Sequence, residues 1–154
     1  MLSHTHAVGG VTSLYLLHKL GYVHPDMADY IVVSVAAILP DVDHSSSILG
    51  KKIKIFSFLK HRGLTHSILG VVILYYALEF FAKNCYSPLL TFVPYIVLGC
   101  VSHIILDMLT PSGVALFYPL KKRFKIPLIR TGSKLETIFM FSLIALMAYF
   151  YFKK

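Results

Sequence analysis

The sequence predicts an all-α integral membrane bundle of four to five helices, with a polar site at one membrane face. Three observations predict it. Of the 154 residues, 56% are hydrophobic and only 14% charged, against about 25% charged in a soluble domain. The apolar residues gather in five stretches separated by Pro, Gly and polar loops. Histidines and carboxylates fall at the ends of those stretches, where burial in lipid is costly unless they have partners. The length suits a single domain, and no repeat, low-complexity tract or boundary divides residues 1–154.

The net charge of +8 bears on association rather than on fold. In so apolar a chain the lysines serve as topology signals and lipid headgroup contacts. Membrane lipids are therefore the expected partner, and no nucleic acid is expected. His4 and His6 stand where a basic leader region would be, and no small-residue cleavage site follows, so no signal peptide is expected. Cys85 and Cys100 form no CxxC pair, and Cys100 lies inside an apolar run, which argues against a disulfide or thiolate site.

Segment one runs from about Ala7 to Tyr22, carries Gly9, Gly10 and His18, and ends at Gly21 and Pro25. Asp26 is placed to cap segment two, about Met27 to Leu39, which stops at Pro40. Both are shorter than the ~20 residues of a full span and suit a short or partly buried hairpin. Residues 41–62 form a polar loop in which Ile53 to Leu59 reads as an interfacial amphipathic turn. Segment three, Leu64 to Ala82, is long enough to span, and Lys83 to Pro88 is a tight turn. Segment four, Leu89 to Leu109, is the strongest transmembrane candidate, broken by Thr110-Pro111-Ser112-Gly113. After a second basic loop, Ser133-Lys134-Leu135-Glu136 carries the Ser-x-x-Glu capping pattern and opens segment five, Thr137 to Phe152.

Helix arithmetic brings the polar residues to one level. From His66 to Lys83 is about 17 residues and from Pro88 to His103 about 15, or roughly 25 and 22 Å at ~1.5 Å per residue. His103 thus returns to the depth of His66. The first hairpin does the same between His6 and Asp41, and Glu136 begins segment five at the Asp107 end. His103 and Asp107 share a helical face at i, i+4. That spacing suits two ligands of one metal ion, or one ligand and the carboxylate that orients it; a plain His–Asp packing pair is the alternative. Asp41 and Asp43, beyond a helix-ending proline, can turn to one cation or simply cap a turn. His61 is expected before the third helix and His66 in its first turn. Arg62 suits a phosphate or a snorkelling interfacial cation, and Glu136 suits a metal or the capping box.

Histidine and carboxylate without thiolate favour Zn²⁺ first and Mn²⁺ second. At least seven candidates are more than one tetrahedral ion needs, which allows two ions. Paired ions about 3.5–4 Å apart serve phosphoester hydrolysis by activating water and clamping phosphoryl oxygens.

Three strings carry a family resemblance: Leu39-Pro40-Asp41-Val42-Asp43-His44, His61-Arg62-Gly63-Leu64-Thr65-His66-Ser67, and Ser102-His103-Ile104-Ile105-Leu106-Asp107 continuing to Gly113. With His6 and Gly132 to Glu136, they make the chain resemble the YdjM family of LexA-regulated inner-membrane proteins, to which a metal-dependent hydrolase activity is ascribed. More remotely the pattern is similar to zinc-dependent phospholipase C and P1-type nucleases. The resemblance implies metal binding by His6, Asp41, Asp43, His66, His103, Asp107 and Glu136 within one membrane-embedded domain.

The expected function is a membrane-bound, metal-dependent hydrolase of a phosphoester in a lipid or lipid-linked substrate. Water activated by the cation attacks phosphorus, Asp43 or His61 is the general base, and Arg62 steadies the phosphate. A metal or ion transporter would use the same residues along a pathway, yet they gather at helix ends rather than at a midplane. A non-catalytic scaffold would make the cluster structural. The loops at 41–62 and 110–136 hold eleven of the 15 Lys and Arg residues. By the positive-inside bias the site then faces the cytoplasm in a multi-pass inner-membrane protein.

Overall fold

Residues 1–43 and 62–153 are described by a computed structural model. They form α1 (Ser3–Lys19), α2 (Met27–Ala36), α3 (Ile68–Asn84), α4 (Val93–Met108) and α5 (Lys134–Phe152), with 3-10 turns at Leu39–Asp43, Leu64–His66 and Ser87–Thr91. Among the described residues no strand forms, only an isolated antiparallel bridge between Val114 and Phe124. The expectations for His44, His61 and the Ile53 to Leu59 turn lie outside the described residues.

The described residues are all-helical, as expected, but several boundaries move. α1 begins before Ala7, because the amides of Thr5 and His6 already close a turn onto the Leu2 carbonyl at 3.0 and 3.2 Å. His6 therefore sits inside a helix. α2 starts where expected: Asp26 accepts from the Asp29 amide, and the Asp29 carboxylate answers the Asp26 amide. It stops at Ala36, short of Leu39, and the chain tightens into the 3-10 turn where Pro40 has no N–H to continue an α-helix.

His66 is not in the first turn of α3. It lies in the preceding 3-10 turn, and extended Ser67 caps α3 by accepting from the Gly70 amide at 3.0 Å. The long apolar run expected as segment four is split. Pro94 is tolerated only in a first helical turn, so α4 starts at Val93 and residues 87–91 form their own 3-10 turn. α5 opens at Lys134 with Ser133 as its cap.

α4 is the hub: α1, α2 and α3 all pack on it, and α5 lies against α1. Two glycines let the C-terminal end of α2 wedge between α1 and α4. A side chain at Gly99 would meet Ala36 Cβ at 2.7 Å and the Val33 carbonyl at 2.8 Å, and one at Gly10 would meet Ala37 Cβ at 2.8 Å. Small residues at such crossings are how apolar helices approach closely in lipid.

Among the described residues one helix, α5, is long and apolar enough to cross a membrane, and α4, the strongest candidate on sequence, is a shorter apolar helix. Large apolar side chains such as Ile73, Phe80, Ile138 and Phe141 point outward from α3 and α5.

Candidate metal centre

Four elements meet at one polar cluster. The first turn of α1 supplies His6, the 3-10 turn after α2 supplies Asp41 and Asp43, the next 3-10 turn supplies His66, and the last turns of α4 supply His103 and Asp107. His6, His66 and His103 have no solvent exposure, and Asp43 and Asp107 are buried beside them. Charged groups this deep need partners.

The partners orient both central imidazoles. His103 Nδ1 lies 2.7 Å from the Ala37 carbonyl, which can only accept, so Nδ1 carries the proton and Nε2 turns its lone pair inward. His66 Nδ1 lies 2.9 Å from Thr65 Oγ1 and 3.4 Å from Asp43 Oδ2. The Thr65 hydroxyl donates to Asp43, so it accepts from Nδ1, and His66 Nε2 also faces inward. The two Nε2 atoms are 3.1 Å apart. At that distance the two nitrogens meet across either one shared proton or a bound cation.

The carboxylates complete the arrangement. Asp41 Oδ1 is 3.6 Å from both Nε2 atoms, and Asp107 Oδ2 is 3.8 Å from His66 Nε2 and 3.9 Å from that of His103. A tetrahedral ion with bonds of 2.0–2.2 Å separates its ligand atoms by about 3.4 Å. Asp107 Oδ2 is buried and accepts no well-aligned hydrogen bond, although Arg62 Nη2 lies 3.0 Å away. The imidazoles with either carboxylate thus offer donor atoms close enough to hold a small divalent cation.

Six of the expected ligands fall into three overlapping groups: His6, Asp41 and His103; His66, His103 and Asp107; Asp41, Asp43 and His66. His6 stacks on His103 with ring centroids 3.6 Å apart, and its Nε2 lies 3.3 Å from Asp107 Oδ1. Neither His6 ring nitrogen makes a hydrogen bond. Asp107 Oδ1 is also 2.5 Å from the Met1 amino group.

Glu136 is buried but stands apart from these groups. Its oxygens accept from the Leu2 and Gly132 amides, each at 2.6 Å, and so fasten the start of α1 to α5. Asp43 accepts from the Arg62 amide at 3.2 Å as well as from Thr65. Arg62 turns inward with a φ of 60°, and its guanidinium reaches Asp107, Thr110 Oγ1 at 3.0 Å and the Gly113 carbonyl at 3.4 Å. His18 and Glu79 make local contacts elsewhere, with Tyr30 and Lys83.

Two charge states follow outside the helices. Burial disfavours the Asp41 carboxylate, but hydrogen bonding to His66 and the nearby His103 and His6 outweigh it and hold its pKa below the ordinary value. Burial also disfavours protonated His66, but hydrogen bonds to Asp41 and Asp43 outweigh it and raise its pKa.

Sequence reasoning missed Thr65, Thr110 and the Ala37 carbonyl. Both threonines stand in the recognised strings, but nothing in composition says that the Thr65 hydroxyl bridges His66 and Asp43 or that the Thr110 hydroxyl accepts from Arg62 and donates to the Asp107 carbonyl. A backbone carbonyl leaves no residue-type signal at all.

A model of the family described as YdjM inner membrane protein matches residues 1–154. The chain belongs to the YdjM family. It is 40% identical over 114 residues to the inner membrane protein YdjM of Escherichia coli (strain K12), covering 66% of this chain and 56% of that protein. The match to YdjM of Shigella flexneri has the same extent. The chain thus spans 56% of the length of these curated relatives. YvsG of Bacillus subtilis (strain 168) is 31% identical over 159 residues, covering 99% of this chain and 95% of that protein. No solved structure matches the chain. The family is one of inner membrane proteins, and in this chain the buried cluster of His and Asp side chains could hold a metal ion.

Proposed function

We propose that this YdjM-family chain is a metal-dependent hydrolase of a phosphoester in a lipid or lipid-linked substrate, inserted as a multi-pass bundle with its site at the cytoplasmic face. The observation that carries the reading is the pair of inward Nε2 atoms 3.1 Å apart, flanked by two carboxylate oxygens at 3.6–3.9 Å. His66, His103, Asp41 and Asp107 would hold the ion, with Zn²⁺ the first choice and Mn²⁺ the second. A bound divalent cation acidifies water and polarises a phosphoryl oxygen.

The chain's own residues supply the rest. The Ala37 carbonyl and the Thr65–Asp43 pair fix which imidazole nitrogen faces the centre. Asp43 works through His66, and Arg62 works through Asp107 by holding that carboxylate and Thr110 in place. His6, stacked on His103 and within reach of Asp107 Oδ1, is the residue available to a second ion. The cluster lies at helix ends, which suits reaction at a membrane face better than passage through a midplane.

The test starts from metal-stripped full-length protein in detergent. Elemental analysis after reloading should find bound zinc or manganese, and the loaded protein should release phosphate from lipid or isoprenoid phosphoesters. Equal release by stripped and loaded protein would contradict the reaction. Metal flux into proteoliposomes without hydrolysis would favour a transporter.

A further inference from the structure

Beside the cluster lies a cavity of about 350 Å³ between the Leu39–Asp43 turn, α3 and α4. This is within the range of ligand pockets. Its walls are almost wholly apolar. Pro40, Val42 and Thr65 line its inner end, and Leu74 and Ala77 its outer end. The inner residues alternate along the chain with the cluster: Pro40 and Val42 flank Asp41, Val42 precedes Asp43, and Thr65 precedes His66. One wall is thus built from the backbone that presents the site. At the outer end Ile73 and Ala77 are exposed, so the cavity reaches the apolar outer surface of α3. From Gly70 to Ala77 it follows α3 for roughly 10 Å.

We infer that this groove binds one hydrocarbon chain of a membrane lipid whose phosphate end lies at the metal centre. The inference rests on the proposed function for the phosphate end and adds how the substrate is held. Chemistry selects the occupant. An extended peptide would bring backbone N–H and C=O groups to walls that offer them no partner, since the Thr65 hydroxyl is taken by Asp43. An alkyl chain brings no such groups, and each buried methylene raises affinity about four-fold. The chain's net charge of +8 complements the anionic headgroup that such a lipid carries.

The experiment uses the full chain, zinc-loaded, in phosphatidylcholine vesicles containing phosphatidic acid with a diazirine at the middle of one acyl chain. After irradiation, labelled residues are mapped by mass spectrometry. The label is expected severalfold more often on Ile73, Leu74 and Ala77 than on Ile138 and Phe141, which face outward from α5. Ala77→Phe, at an exposed position, should cut the groove label severalfold and leave the α5 label, helical content and bound zinc unchanged. Leu74→Trp should do the same from one turn earlier on α3. Even labelling of α3 and α5, or groove labelling untouched by both substitutions, would overturn the inference. Labelling needs no turnover. A labelled groove without phosphate release would therefore overturn only the reaction, and release from a soluble phosphoester with even labelling would overturn only the groove.

Discussion

His103 donates its Nδ1–H to a backbone carbonyl and turns Nε2 toward His66 Nε2, Asp41 Oδ1 and Asp107 Oδ2. His103→Ala should therefore raise the metal dissociation constant more than about 100-fold, beyond the 10- to 100-fold typical of losing a group that only orients a ligand. Retained stoichiometric metal by elemental analysis would exclude His103 as a ligand. Asp43→Asn tests such an orienting group. Affinity should fall about 10- to 100-fold while full occupancy returns at saturating zinc, and unchanged affinity would remove Asp43 from the site. The raised pKa of His66, where hydrogen bonds to Asp41 and Asp43 outweigh burial, sets a pH dependence. Its proton must leave before Nε2 can accept a cation, so affinity should fall as pH drops through that pKa, with a proton released on binding. Calorimetry in buffers of different ionisation enthalpy measures that release, and a pH-independent affinity would contradict it. At this scale the ligand types were legible, because His and Asp at helix ends in an apolar chain have few other uses. Their orientation was not, since it depends on Thr65 and on the Ala37 carbonyl. Nor was the inward turn of Arg62 onto Asp107, which follows from a left-handed backbone that residue type does not announce.

The elements work as spacers that bring distant strings to one level. Counting residues along each apolar arm places His6, Asp41, His66 and His103 together, and α1, α2 and α4 do meet there. The same counting could not separate α-helix from 3-10 turn, because both fit a short apolar run. His66 accordingly lies outside α3, and α4 is shorter than the run containing it, its start fixed by Pro94. The wedge of α2 between Gly10 and Gly99 is the packing feature on which the site depends, since it carries Ala37 to His103. Gly99→Val should cost about 1–3 kcal/mol by overpacking and should also weaken metal binding by shifting the Ala37 carbonyl. Thermal unfolding and zinc titration read the two effects separately. Lost stability with unchanged zinc affinity would break the link between the wedge and His103.

For the whole molecule, the proposed orientation puts the basic loops in the cytoplasm and the α3–α4 connection outside. Exposed Cys85 lies in that connection, whereas Cys100 is buried. In intact cells an impermeant maleimide should label Cys85 in the native chain. It should fail to label Ser112→Cys in a background lacking both native cysteines until the membrane is permeabilised. The reverse pattern would invert the orientation, and labelling of both positions from outside would place the two ends of α4 on one side.

The most direct test of the central claim, that two imidazoles and two carboxylates hold one ion, is titration of the metal-stripped full chain with Co²⁺, followed by visible absorption. Saturable binding with the intense bands of a tetrahedral site is expected, reversed by zinc and lost in both His66→Ala and His103→Ala. Absence of binding, or an unchanged tetrahedral spectrum in the two variants, would contradict the claim.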